Sequence, residues 1–246
     1  MKKYLERFNA SSLTEVSFTN LTKLQDLHMQ SIPFENLDVI RRVPIYLNLQ
    51  TIYEKIVDNN RGGYCYELNG LFHWLLNELG YNTHLIPATV KRPNGVWAKA
   101  DTHAALLVQL DKPYLVDVGF GAATPRLPIA LDSSEGSDIS STYLIHKQAD
   151  NTFNLVQRSA SEERTLYRFN LNKKNLVDFH EGCVFNQVSA SSSFTHTDII
   201  TQATPTGQIT LSDHTFSMTE DGVRTSFELS ADEKVRVLQD KFKVFL

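Results

Sequence analysis

At Gly80 the hydrophobic rhythm of this chain changes, and the change limits the possible folds more than any other feature of the sequence. Upstream, apolar residues recur at helical spacing. Tyr4, Leu5 and Phe8 mark one side of a short first helix, and Leu21, Leu24 and Leu27 mark a second. Leu49, Ile52, Tyr53, Ile56 and Val57 fall at i, i+3, i+4, i+7 and i+8, an amphipathic stripe. Asn59-Asn60 and Gly62-Gly63 stop that helix. Leu68, Phe72, Leu75 and Leu79 form a further face, which Gly80 closes from the C′ position. Downstream, 83–91, 102–110 and 113–120 are short β-rich runs, separated by Pro93-Asn94-Gly95 and Asp111-Lys112-Pro113. Further strands are predicted at 142–148, 152–158, 163–169, 208–211, 214–218 and 223–229, with Ala149-Asp150-Asn151 as a hairpin turn. The segment 176–195 carries no single period, and its serine-rich 189–193 stretch reads as a connection. Ser230 and Glu233 form an S-x-x-E capping box before a last helix faced by Val235, Leu238 and Phe242. Helices, then antiparallel strands, then a small mixed tail define an α+β chain, not the βαβα alternation of a doubly wound sheet. With 246 residues the chain has enough length for one large core or two to three smaller ones.

The formal net charge of −4 provides no basic field to hold nucleic acid or an anionic membrane. Arg41-Arg42 and Lys173-Lys174 are isolated pairs that read as solvated surface. No apolar run approaches the roughly 18 residues of a membrane span, and no apolar h-region follows Met1-Lys2-Lys3. Two cysteines, Cys65 and Cys183, exclude a disulfide framework and a cysteine-rich zinc site. No H-E-x-x-H or C-x-x-C pattern points to a metal. The expected compartment is the reducing cytosol, with Cys183 an inert buried thiol.

The densest chemical signal is Arg61-Gly62-Gly63-Tyr64-Cys65-Tyr66-Glu67-Leu68-Asn69. A glycine pair lets a substrate approach the backbone, and Cys65 opens an apolar-periodic helix. The free N–H groups and dipole of a helix N-terminus stabilise a thiolate, so the Cys65 pKa is expected to fall. A small buried cysteine at a helix start is the competing reading. A nucleophilic thiol needs a base. His73 lies on the same helix, about 12 Å along its axis. His28, His84, His146, His180, His196 and His214 have no acidic residue on an obvious partner strand. His103 does: the next run, Tyr114-Leu115-Val116-Asp117-Val118-Gly119-Phe120-Gly121, carries Asp117 among apolar neighbours. A buried carboxylate is costly unless paired, and an adjacent imidazole would satisfy it and hold one tautomer.

Register discriminates between arrangements. A two-residue loop at Asp111-Lys112 pairs His103 with Phe120 and puts Asp117 on the opposite face. A three-residue loop, 110–112, pairs Gln109 with Pro113 and His103 with Gly119. Asp117 then lies diagonally from His103 on the same face, within reach. The three-residue loop, or an equivalent bulge, is therefore predicted. The competing reading is a core histidine and an aspartate that caps a turn.

These residues bear a family likeness. The chain resembles the arylamine N-acetyltransferases through Ile32-Pro33-Phe34-Glu35-Asn36-Leu37-Asp38-Val39, through Lys55-Ile56-Val57 leading into the Arg61–Asn69 segment, through His103, and through Val116-Asp117-Val118-Gly119-Phe120-Gly121. The likeness is close from residue 4 to about 125. It is looser afterwards, through Thr204-Pro205, Gly207 and Asp221-Gly222-Val223-Arg224. It implies a triad of Cys65, His103 and Asp117. It also implies a helical bundle over 1–82, an antiparallel β-barrel over 83–175, a connecting segment over 176–195, and a small α/β lid with the C-terminal helix over 196–246. The chain is short for the family, which implies trimmed loops around the lid.

The implied activity is ping-pong transfer of an acetyl group from acetyl-CoA, as co-substrate and without a metal, through a Cys65 thioester. The acceptor is the nitrogen of an aromatic amine or hydrazine, or the oxygen of an N-hydroxyarylamine. An amide synthase or other thiol-enzyme amide processing on the same triad, and a non-catalytic binding module, are the alternatives. Arg61 and Glu35 are expected to pair and lock the Cys65 loop, because a buried arginine needs a bidentate carboxylate. Asn69 and Glu67 are expected to satisfy nearby backbone or supporting groups. Phe120 and Gly121 are expected to line the acceptor pocket, with plain core the competing reading for Phe120. Gly119-Phe120-Gly121 is only a fragment of a phosphate-binding pattern. The resemblance instead suggests a coenzyme phosphate contact at Thr201.

Overall fold

The computed structural model describes residues 1–132, 134–159 and 162–246. Its first part is helical: α1 (Lys2–Arg7), α2 (Phe18–Ser31), α3 (Leu37–Ile40), α4 (Leu49–Tyr53), which runs on as a π-helical turn over Glu54–Asp58, and α5 (Cys65–Glu78). Ser17 caps α2 by accepting from the Asn20 N–H, and Asn48 caps α4 by accepting from that of Thr51. Every residue of α5 from Cys65 to Phe72 is buried. That burial all round marks a helix enclosed by other elements rather than laid on a surface. Leu68, Phe72 and Leu75, read as one face, are thus part of a wider buried surface.

Within the helical part, β1 (Phe34–Glu35) is a two-residue strand. After α5 come β2 (Asn82–Val90), β3 (His103–Gln109), β4 (Pro113–Val116), β5 (Ile129–Ala130), β6 (Gly136–Ser137), β7 (Thr142–Lys147), β8 (Phe153–Arg158) and β9 (Glu163–Phe169). These eight form an antiparallel sheet in the order β5-β4-β3-β2-β9-β8-β7-β6. Its two ends curl together, and Ile129 shares one core with Tyr143 and Ile145. The barrel is nearly closed. Alternation along β3 joins it to the helices: Ala104, Leu106 and Val108 enter the helical core with α5, while Ala105 and Leu107 fill the barrel. The run predicted over 113–120 ends at Val116. Asp117 Oδ1 accepts from the Gly119 N–H at 2.8 Å, an Asx turn that diverts the chain from the ladder.

The segment 176–195 contains α6 (His180–Val188), entered through a 3-10 turn over Leu176–Phe179. Only Gly182, Cys183 and Asn186 of α6 are buried, a stripe too narrow to show a period. Next come β10 (Ile199–Thr204), β11 (Gly207–Ser212), β12 (Thr215–Glu220), β13 (Val223–Glu228) and α7 (Ala231–Phe242). β10 is a strand that the hydrophobic pattern does not predict. It pairs on one side with β11 and on the other with β1, giving the sheet β1-β10-β11-β12-β13. The N-terminal Phe34–Glu35 segment is thereby built into the C-terminal sheet. α7 starts at the Ser230–Glu233 capping box and packs Leu238 and Phe242 against Ile200, Leu211 and Phe216. Val235, assigned to that face by its spacing, is exposed.

One buried side chain couples this packing to pH. His28 of α2 is enclosed by Tyr4, Phe8 and Phe72, with ring centroids 5.8, 5.4 and 5.1 Å away, and its Nε2 lies 2.7 Å from the Tyr4 hydroxyl. Burial, assisted by the charge of Arg7, lowers its pKa from 6.5 to about 3. The unfolded chain takes up a proton near pH 6.5 that the folded chain refuses until about pH 3. The stability associated with a neutral His28 is therefore intact above the ordinary value and drains away as pH falls, by up to about 1.4 kcal/mol per unit. A His28→Phe variant is expected to show an acid-side slope of unfolding free energy shallower by about one proton over that window, measured by urea titration at a series of pH values. The Tyr4 hydroxyl loses its partner in this variant, at a cost of about 1 kcal/mol that does not vary with pH.

Candidate active site

The loop before Cys65 is held by an ionic network. Arg61 donates from Nε and Nη2 to Glu35 Oε1, at 3.1 and 2.7 Å, and from Nη2 to Asp38 Oδ1 at 2.9 Å. The predicted Arg61–Glu35 pair exists, but both contacts fall on one carboxylate oxygen. Glu35 Oε2 is occupied by the Leu37 N–H at the start of α3, so the fork-on-fork geometry is replaced by a bridge between two acids. Lys55, reaching from the π-helical turn, joins Asp38 at 2.8 Å and Glu67 at 2.9 Å. Burial pulls the Lys55 pKa down, but Glu67, Glu35 and Asp38 more than offset this and leave it raised. Glu67 Oε2 accepts from the Tyr64 N–H at the head of α5. Gly62 is demanded by the crossing of the two segments: a Cβ there would lie 2.1 Å from the Pro33 carbonyl oxygen.

Cys65 is the first residue of α5, and Asn69 follows one turn later on the same side. Asn69 Nδ2 donates to the Ala104 carbonyl at 2.7 Å and to Asp117 Oδ1 at 2.8 Å, and its Oδ1 accepts from the Val118 N–H at 2.9 Å. This amide ties α5 to β3 and to the turn after β4. Gly119 closes the same joint, since a Cβ there would come 2.8 Å from both Cys65 Cα and Asn69 Nδ2.

β3 and β4 pair with Gln109 opposite Pro113 and Leu106 opposite Val116, the register of a three-residue loop. His103 Nε2 lies 2.7 Å from Asp117 Oδ2, and both side chains are buried. Asp117 also accepts from the Asn69 amide, the Gly119 N–H and, at 3.0 Å, the Tyr167 hydroxyl. Burial pushes this carboxyl up, but His103, Asn69 and Gly119 outweigh that and hold it below the usual carboxylate value. An anionic carboxylate only accepts, so the network assigns the ring proton to Nε2 and leaves Nδ1 as the acceptor nitrogen. Asp117 thus both pairs with the imidazole and caps a turn, two roles treated above as rivals.

The Cys65 sulfur lies 3.9 Å from the Thr102 carbonyl, beside the start of β3. Burial pushes its thiol up. The backbone amides of Ala104 and Tyr66 pull it down, while Asp117 and Cys183 push it further up. The expected depression does not occur for the thiol on its own, because a buried sulfur loses more in solvation than a helix end returns. An imidazolium beside the sulfur would supply the missing compensation. A proton passed from Sγ to the histidine leaves the net charge of the site unchanged.

Cys65 and His103 line a cavity of about 260 Å³, together with Phe34, Thr102, Phe120, Gly121, Phe185 and Phe194. The Phe120 ring stands edge-on to those of His103 and Tyr167, with centroids 5.2 and 5.0 Å away. It lines the cavity and packs on the barrel core at once. Thr201 is elsewhere. It lines a second cleft of about 170 Å³, which shares Phe34, Gly121 and Ala122 with the first. Its hydroxyl donates to the Ile209 carbonyl at 3.1 Å and meets the Thr210 hydroxyl at 2.8 Å. Cys183 is outside both: it is buried 2.7 Å from the Tyr64 hydroxyl, where burial raises its thiol. Among the described residues, no group of three or more His, Cys, Asp or Glu is placed to hold a metal.

Sequence reasoning missed Tyr167, whose hydroxyl completes the shell of Asp117, and Phe185 and Phe194, which wall the cavity. Tyr167 lies 50 residues beyond Asp117 in the chain. A tyrosine in a strand gives no sign of which carboxylate it will meet. The two phenylalanines come from the segment that had no readable period.

A family model described as N-acetyltransferase matches residues 17–246. The chain is 34% identical over 232 residues to the arylamine N-acetyltransferase of Escherichia coli (strain K12), covering 90% of this chain and 80% of that protein. It is 32% identical over 203 residues to that of Mycolicibacterium smegmatis, covering 78% and 72%. Among solved structures it is similar to a Bacillus cereus arylamine N-acetyltransferase with a unique Cys-His-Glu catalytic triad, at a TM-score of 0.94 and 26% identity, covering 100% of this chain and 98% of that one. It is also similar to the Mycobacterium marinum arylamine N-acetyltransferase in complex with CoA, at a TM-score of 0.91 and 30% identity, covering 98% and 92%. These likenesses define the class, an N-acetyltransferase enzyme. The chain belongs to the arylamine N-acetyltransferase family.

Proposed function

We propose that this enzyme transfers an acetyl group from acetyl-CoA to aromatic amines in two half-reactions, with Cys65 as nucleophile, His103 as base and Asp117 as the group that orients and charges the base. In the first, the Cys65 proton moves to His103 Nδ1 as sulfur bonds to the thioester carbonyl carbon. The carbon–sulfur bond to coenzyme A breaks, and the leaving thiolate takes the proton from the imidazolium. In the second, the amine nitrogen attacks the Cys65 thioester, His103 takes its proton, and the carbon–sulfur bond breaks to restore the thiol. Asp117, held anionic by its donors, stabilises the imidazolium in both. Thioester exchange is nearly isoenergetic, so the site has to supply a nucleophile and exclude water.

The observation that carries this reading is the 2.7 Å bond that ties buried Asp117 to His103, which lines one cavity with Cys65. Phe120 and Gly121 are the acceptor contacts. Arg61, Glu35 and Asn69 keep Cys65 and Asp117 in place. Thr201 would reach a coenzyme phosphate only by giving up its bond to Ile209. Hydrazines share the nucleophilic nitrogen of arylamines and are expected acceptors. So are N-hydroxyarylamines: a Salmonella typhimurium relative 29% identical to this chain is an arylamine N-acetyltransferase and N-hydroxyarylamine O-acetyltransferase.

Intact-protein mass spectrometry tests the acyl-enzyme. Acetyl-CoA without amine is expected to place one acetyl group on Cys65 with stoichiometric release of CoA. Release of CoA with unmodified Cys65, or turnover retained in Cys65→Ala, would overturn the covalent mechanism.

A further inference from the structure

The walls of the Cys65 cavity are neutral apart from one side chain. Arg92 is the only permanently charged residue among the described residues that line it, and no carboxylate lines it. Arg92 follows β2 at the root of a tight hairpin, where its N–H donates to the Val96 carbonyl and its carbonyl accepts from the Gly95 N–H. Its Nη2 donates to the Ser191 carbonyl at 2.9 Å, in the loop after α6. The guanidinium is therefore anchored by one N–H across the cavity rim. Lys91 and Arg168, on the opposite face of the sheet, lie 5.1 and 4.6 Å from the Trp97 ring centroid and do not line the cavity.

A guanidinium has five N–H donors and no acceptor, and its fork fits an oxyanion. A binding cavity fixes ligand orientation with a few convergent polar groups. Here the one fixed charge is positive, with no acidic residue in the lining to neutralise it. We propose that Arg92 recognises an oxyanion on the ligand that enters this cavity, and so determines specificity. Two sources have that chemistry: the carboxylate of an acidic aromatic amine, of which an aminobenzoate is the simplest, and a phosphate of the acyl donor. Arg92 binds rather than reacts, about the oxyanion and not the transferred acetyl group. The proposal deepens the acetyl-transfer reading and rests on it for the identity of the ligands. Equilibrium binding tests it without requiring turnover.

The experiment measures dissociation constants by calorimetry for 4-aminobenzoate and its uncharged methyl ester, and for CoA and phosphate-free pantetheine, on wild type, Arg92→Gln and Arg92→Lys. In Arg92→Gln, the preference for the charged member of one pair is expected to fall by about 10- to 100-fold, with the neutral member unchanged and Arg92→Lys retaining part of the preference. Collapse of the aminobenzoate-to-ester ratio identifies the acceptor carboxylate as the source. Collapse of the CoA-to-pantetheine ratio identifies the phosphate. If neither ratio moves by threefold in folded Arg92→Gln, the role assigned to Arg92 is overturned. Failure of the acetyl-transfer reading would show separately, as absent Cys65 acetylation in the wild type.

Discussion

Asp117→Asn is expected to lower the rate of Cys65 acetylation by about 10³- to 10⁴-fold while leaving the barrel folded. Four donors converge on this side chain. One carboxylate oxygen accepts from Asn69 and Gly119, and the other accepts from His103 and Tyr167. An asparagine amide has one accepting oxygen and one NH₂ group. Either way round, the NH₂ meets two donors. Turned toward His103, it forces the ring proton off Nε2 and onto Nδ1, the nitrogen that receives the thiol proton in the proposed mechanism. Turned the other way, it breaks the joint between α5 and the turn at Gly119. In both orientations the negative charge proposed to stabilise the imidazolium is gone. Single-turnover acetylation, with circular dichroism and thermal melting alongside, checks this. A loss smaller than tenfold would mean that His103 does not depend on Asp117 for its tautomer.

The second large effect is on stability. Arg61→Leu is expected to destabilise the protein by about 3–5 kcal/mol, a large part of the total stability of a typical domain. Glu35, Asp38 and Glu67 share two buried cations, Arg61 and Lys55, for a net charge of −1, with the half-exposed Arg41 3.8 Å from Asp38. Losing Arg61 makes it −2 and leaves Glu35 3.9 Å from its nearest remaining cation, Lys55. Burial raises the Asp38 carboxyl, and the two cations outweigh it to bring the value below normal. Without Arg61 one of these two cations is gone. Arg61→Lys keeps the charge but cannot present Nε and Nη2 together, so an intermediate loss is expected. Urea unfolding of the three proteins gives the comparison, and a loss below 1 kcal/mol for Arg61→Leu would contradict the dependence on this pair.

Much of the arrangement around Cys65 is legible in the sequence because it depends on local rules. A thiol at the first turn of α5 follows from the glycine pair and the helical stripe behind it. The approach of His103 to Asp117 follows from counting loop residues, because sheet register flips faces with every single-residue shift. The capping box at Ser230 and Glu233 is a four-residue pattern and could be read directly. What escaped are features without a local signature. β10 becomes a strand between β11 and the distant β1, and α6 is short and buries only three residues. Tyr167 and Arg92 acquire their places from strand order and from a loop seated across the rim.

By itself, the sequence determined which elements form at the start of the chain, where the thiol sits on its helix, and which face of the β3–β4 hairpin carries the imidazole and the carboxylate. Those outcomes depend on backbone periods and turn lengths, which act over a few residues. Only the tertiary structure decided the direction in which the thiol's proton affinity moves. The helix end pulls it down from within the sequence, but burial beneath the barrel and cavity walls pushes it up. Solvation is lost to every element packed around the sulfur, and no local pattern encodes that sum.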